Sequence, residues 1–88
     1  MKITNIKEVN YDQGLLDIIL DVEFDEGISS RWELVEPEIQ AVYRQFGELR
    51  LEYLELVDNG MNVHGFEFTD EEKKLIVNYI ENKVIAKH

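Results

Sequence analysis

The chain predicts an α+β fold: a small antiparallel sheet of three to four strands with a C-terminal helix packed on one face. Three observations carry that expectation. Residues 16–25 alternate apolar and acidic side chains, the period of a half-buried strand. Thr69-Asp70-Glu71-Glu72 has the form of a capping box ahead of an amphipathic helix. Asp12-Gln13-Gly14 and Asp58-Asn59-Gly60 are turn signals lying between β-like runs.

Residues 3–11 read as a strand with Ile3 and Val9 facing the core, and the Gln13-Gly14 turn makes residues 3–25 a hairpin. In the second strand Leu16, Ile18, Leu20, Val22 and Phe24 fall on one side. Asp17, Asp21, Glu23 and Asp25 fall on the other, with Ile19 breaking the pattern. Residues 28–35, with Trp32 and Leu34, read as a short strand or a packed loop. Pro37–Phe46 is read as a short helix: Pro suits a first helical position, and Ile39, Val42, Tyr43 and Phe46 follow at helical spacing. Gly47 then marks its end. The β-competent run 39–43 keeps a strand open as the alternative.

Residues 48–58 alternate again, Leu49, Leu51 and Tyr53 against Glu48, Arg50 and Glu52, until the phase slips at Tyr53-Leu54. A bulge, or burial on both faces, accounts for such a slip. Residues 63–68 form a short strand or extended segment. The final helix sets Leu75, Ile76, Tyr79, Ile80 and Val84 on one stripe, with acids at its start and Lys83 and Lys87 at its end, as the helix dipole favours.

Length and composition bound the functional classes. A length of 88 residues is one domain, and 44% hydrophobic content is that of a folding chain. The absence of cysteine favours a reducing compartment. No apolar run reaches membrane-spanning length and the N-terminal residues lack the apolar core of a signal peptide, so the expected location is cytoplasmic. The net charge of −10 conceals an uneven distribution. Residues 8–72 hold 18 acids against three arginines, a balance of −15, while the lysines sit at the two ends. Such a body repels phosphates and anionic lipid. Direct nucleic-acid or membrane binding is not expected; a basic protein surface is.

No catalytic set is apparent. His64 and His88 are the only histidines, and no zinc-ligand spacing exists. Ser29 and Ser30 lack a nucleophile context. Paired carboxylates need a cleft to act as acid and base, and a chain this short has little room for one. Asp58-Asn59-Gly60 looks like part of a calcium loop, but the acids that would complete it are missing. The five glycines form no phosphate loop. The expectation is a non-enzyme with no cofactor and no metal.

The remaining candidates are two. Asp21, Glu23 and Asp25 project at about 6.8 Å intervals along one strand face, with Asp17 a double interval away past Ile19, a spacing comparable with every second phosphate of a nucleic-acid strand. Asp12, Glu26, Glu33, Glu36 and Glu38 extend the array if the loops fold nearby. The plainer reading is a solvated face, or an edge strand charged against aggregation. Against it, acids are poor strand formers, and a solubilising face usually mixes signs. The second candidate is Arg31-Trp32, a residue pair enriched at binding hot spots. Its plainer reading is a core-anchoring Trp.

In layout, residues 15–24 (LLDIILDVEF), 49–60 (LRLEYLELVDNG) and 68–80 (FTDEEKKLIVNYI) resemble small acidic proteins of bacteriophage and prophage type. The resemblance covers about two-thirds of the chain and departs at residues 27–46. It implies an accessory phage product in the host cytoplasm. Proteins of that kind include inhibitors of host nucleases, of restriction or CRISPR systems, and of DNA-binding proteins, some acting as nucleic-acid mimics. No catalytic residue carries over. The alternative function is a structural or assembly subunit acting through homo-oligomerisation.

Overall fold

A computed structural model describes residues 1–87. The strands are β1 (Lys2–Asp12), β2 (Leu15–Glu23), β3 (Pro37–Phe46), β4 (Glu48–Asp58) and β5 (Met61–Asn62). They form one antiparallel sheet in the order β1-β2-β3-β4-β5, so every neighbour in the sheet is a neighbour in sequence. Helix α1 (Glu26–Arg31) connects β2 to β3, α2 (Asp70–Lys83) follows the sheet, and a 3₁₀ turn (Ile85–Lys87) comes after it. The sheet thus has five strands rather than three or four, the fifth only two residues long.

The core lies between one sheet face and α2. Leu16, Ile18, Leu20 and Val22 of β2 meet Ile39, Ala41 and Tyr43 of β3, Leu56 of β4, and Ile76, Ile80 and Val84 above them. Period-2 alternation in β2 and β3 produces this face directly. The Thr69 cap forms as its sequence predicts: its hydroxyl accepts from the Glu72 amide at 3.1 Å, and the Glu72 carboxylate accepts from the Thr69 amide at 2.9 Å. Gln13-Gly14 and Asn59-Gly60 both have positive φ at each residue. That is the turn whose twist matches its flanking strands, and it sets each hairpin's register.

Pro37–Phe46 is a strand, not a helix. Three consecutive apolar residues at 41–43 fit either period, so the helical spacing was fortuitous. The deciding factor is non-local. β3 fills the slot between β2 and β4 and satisfies the hydrogen bonds of both. Pro37 takes the first strand position, where a missing amide does least harm. Gly47, with φ of +77°, makes the tight β3–β4 connection.

Bulges reconcile two awkward sequence patterns with the sheet. In β1, Ile3, Ile6 and Val9 recur every third residue, which a regular strand would scatter over both faces. Register shifts at Thr4 and Lys7 turn all three to the core side of the sheet, opposite Val22, Leu20 and Ile18. Ile3 and Ile6 pack against the core, whereas Val9, expected there too, stays exposed. In β4 the slip is one extra residue, Glu52, between the Val42–Tyr53 and Tyr43–Leu51 pairs. Leu49, Leu51, Leu54 and Leu56 therefore share the core face. Tyr53 moves to the other one, opposite the grouping its spacing suggests.

Residues 28–35 are neither strand nor simple loop. The Asp25 carboxylate accepts from the Ile28 amide at 2.9 Å and caps α1. Trp32 ends that helix with its ring edge-on to Phe66, centroids 5.4 Å apart. Phe66 also meets Phe24 and Phe68 edge-on, at 5.6 and 5.1 Å. This four-ring cluster ties α1 and the segment before α2 to the end of β2.

Candidate functional site

The uncovered face of the sheet is built from the residues that alternate with the core. Cross-strand register sets them in rows. One row runs Asn5, Asp21, Glu38, Val57; the next runs Glu8, Ile19, Gln40, Glu55; the third runs Asn10, Asp17, Val42, Tyr53. Glu23 stands beside Lys2 at the end of β2. Neighbouring strands lie about 4.8 Å apart and same-face residues about 6.8 Å apart. The carboxylates therefore form a two-dimensional grid rather than the single line expected from β2 alone.

Amides interleave with the acids and hold them. Asn5 donates to Asp21 at 3.1 Å, and Gln40 donates to Asp17 at 3.2 Å. Lys7, the extra residue of the second β1 bulge, reaches across β2 to pair with Glu38. The hydrogen bond to Glu38, with the charges of Glu38, Asp21 and Glu36 around it, holds the Lys7 ammonium above the ordinary lysine range. Arg44 pairs with Glu52 and sits 5.9 Å from the Phe46 ring centroid. The face also carries an apolar strip. Val42 is only 5% exposed yet stands outside the main core cluster, shielded among its outer-face neighbours.

The predicted site residues separate here. Asp17, Asp21 and Glu23 share the outer face of β2, which is an inner strand of the sheet. Protection of an exposed edge therefore does not explain their charge. Asp25 is not among them; it turns away to cap α1. Glu38 joins the grid from β3. Glu26 and Glu33 belong to α1 and the turn after it. Arg31 is exposed, whereas Trp32 is half-buried against Phe66, so the two do not act as one exposed pair.

Sequence reasoning missed Glu8, Gln40 and Glu55, because their place depends on pairing and bulges rather than on their own neighbours. It also missed Asp58 as more than a turn residue. Its Oδ1 accepts from the amides of Val35 and Glu36 at 2.9 and 2.7 Å, fixing the entry to β3. On the other face, the Tyr43 hydroxyl is buried with no hydrogen-bond partner. Burial, with the nearby Glu81 charge, pushes its phenol up to about 12.

His64 is exposed after β5, and His88 lies outside the described residues. Among the described residues, no three His, Cys, Asp or Glu side chains converge as a metal-ion set. None of the described helices is long and apolar enough to cross a membrane. Comparison with protein-family models, with curated proteins and with solved structures returns no match.

Proposed function

We propose that this chain is a non-enzymatic interaction protein whose outer sheet face engages a basic protein surface. The observation that carries the reading is the grid of Glu8, Asp17, Asp21, Glu23, Glu38 and Glu55 on a face that no helix among the described residues covers. Asp17 and Asp21 are held in place by hydrogen bonds, so less side-chain freedom is lost on binding. The field of a strongly acidic body speeds encounter with a cation-rich surface. Ile19 and Tyr53 supply apolar contact within the acids, the mixture that interfaces use.

The finer form of this reading is a phage-type inhibitor that occupies the nucleic-acid groove of a host protein in the host cytoplasm. Competition tests it: the chain is titrated into a complex of a basic DNA-binding protein with a labelled duplex. Displacement that weakens with added salt supports mimicry, since both ligands then compete for the same cations. Formation of a ternary complex overturns mimicry and leaves the basic-surface reading standing. No interaction with any of a panel of basic proteins overturns both.

Homo-oligomeric assembly is the second reading, favoured by apolar residues exposed near the hairpin ends. Phe46 is 74% exposed, and Tyr11 and Leu51 are exposed nearby. Sedimentation at micromolar concentration separates the two readings, because a pure monomer contradicts assembly.

A further inference from the structure

The two outer edges of the sheet are built differently, and one of them is open. β1 carries two bulges and two lysines, devices that discourage another strand from pairing. β4 is covered only at its end. β5 pairs there with Val57 and Asp58, and Val63 donates to the Leu56 carbonyl at 2.9 Å. Beyond that bond the chain leaves the edge at Gly65, whose φ is +81° and against which the Trp32 ring packs. Among the described residues, nothing pairs with residues 48–55 on that side. Leu54 continues the alternation of Asp58 and Leu56, so its amide and carbonyl point off the sheet.

A groove of about 460 Å³ runs beside this edge. Leu51, Tyr53 and Leu54 form one wall, and Phe66 and Phe68 form the other. Free backbone groups next to a groove that mixes apolar and charged side chains suit strand addition: main-chain hydrogen bonds supply affinity, and pockets receive alternate side chains. The charges choose the occupant. In the groove Glu67 faces Lys73, and Glu52 is already paired with Arg44. The preference for a cationic segment therefore comes from the field of a body of net charge −10. A second copy is a poor fit. Antiparallel pairing of two β4 edges about the middle of this stretch sets Glu48 of each copy opposite Glu55 of the other, and opposed like charges destabilise a strand pair.

We propose that the open edge of β4 is a strand-addition site for an extended partner segment in which lysine or arginine alternates with apolar residues. The segment extends the sheet at β4 and places its apolar side chains between β4 and Phe66–Phe68. A cation of the segment lies against Glu67. This surface adjoins the acidic outer face at Tyr53, but the proposal does not rest on that face binding anything.

The test uses a capped peptide of about eight alternating valine and lysine residues. It is titrated into isotopically labelled full-length chain while the amide resonances are followed. Saturable shifts and slowed amide exchange at Leu54 and its β4 neighbours, with shifts at Phe66 and Phe68 and none along β1, are expected. N-methylation of the peptide amides that face β4 keeps its charge and removes donors, and should weaken binding about tenfold or more. Replacing its lysines with glutamate should weaken binding too. The D17N/D21N/E23Q variant should bind the parent peptide as well as the natural chain does. Shifts confined to the outer face, equal binding of the N-methylated peptide, or no saturable binding overturns the proposal.

Discussion

The two faces of β2 run along the same nine residues and have opposite fates. Leu16, Ile18, Leu20 and Val22 are sealed beneath α2, and their place follows from hydrophobicity and period alone. Asp17, Ile19, Asp21 and Glu23 face outward on an inner strand, and nothing in the fold demands carboxylates there. Any polar or β-branched residue would keep that face solvated, and most would form a better strand. The core face is explained by stability and the acidic face is not. That contrast makes the acidic face the candidate for function.

The contrast breaks most visibly in the core. Ile18→Ala, at a fully buried position, should cost about 2–5 kcal/mol in urea unfolding, a large share of the stability of so small a chain. Asp58→Ala should cost about 1–3 kcal/mol, because two backbone amides at the entry to β3 lose their acceptor. Thr69→Ala should cost about 1 kcal/mol through loss of the α2 cap, read as a lower unfolding midpoint.

Tyr43→Phe tests the same face from the other direction. The hydroxyl is buried without a partner, so its removal should be neutral or stabilising by up to about 1 kcal/mol near pH 7. The folded-state pKa of about 12 lies above the ordinary tyrosine value of 10.0. The tyrosine side chain's contribution is therefore fully present below pH 10 and is lost as pH rises through 12. The alkaline fall in stability between those values should be shallower in the phenylalanine variant. Equal slopes would contradict the burial of this phenol.

The smallest stability effect is expected on the acidic face. D17N/D21N/E23Q should change unfolding free energy by no more than about 0.5 kcal/mol, since surface substitutions seldom do more and like-charge repulsion is relieved. A loss near that of Ile18→Ala would make the acids structural and remove the contrast.

What was legible in the sequence was local. The alternation of β2, the capping box of α2 and the two glycine turns each specify their element from within a few residues. What was not legible depends on distant partners. Ile39, Val42, Tyr43 and Phe46 satisfy a helical spacing, and only the strands on either side make them a strand. Helix α1 was hidden because it is six residues long and its cap, Asp25, continues the acid pattern of β2. The acids of β2 were legible as a face. Their partners Glu8, Glu38 and Glu55, and the amides of Asn5 and Gln40, became neighbours only through bulges and register.

The most direct measurement compares two variants that lose the same charge in different places. D17N/D21N/E23Q removes three carboxylates from the grid, whereas E26Q/E33Q/E71Q removes three exposed ones elsewhere. Each is titrated against a basic DNA-binding protein that the natural chain binds, at low and at high salt. The acidic-face account predicts that the first variant binds about tenfold or more weakly and with a flatter salt dependence, while the second stays close to the natural chain. Equal affinity of the two variants would contradict it, because net charge rather than this face would then govern binding.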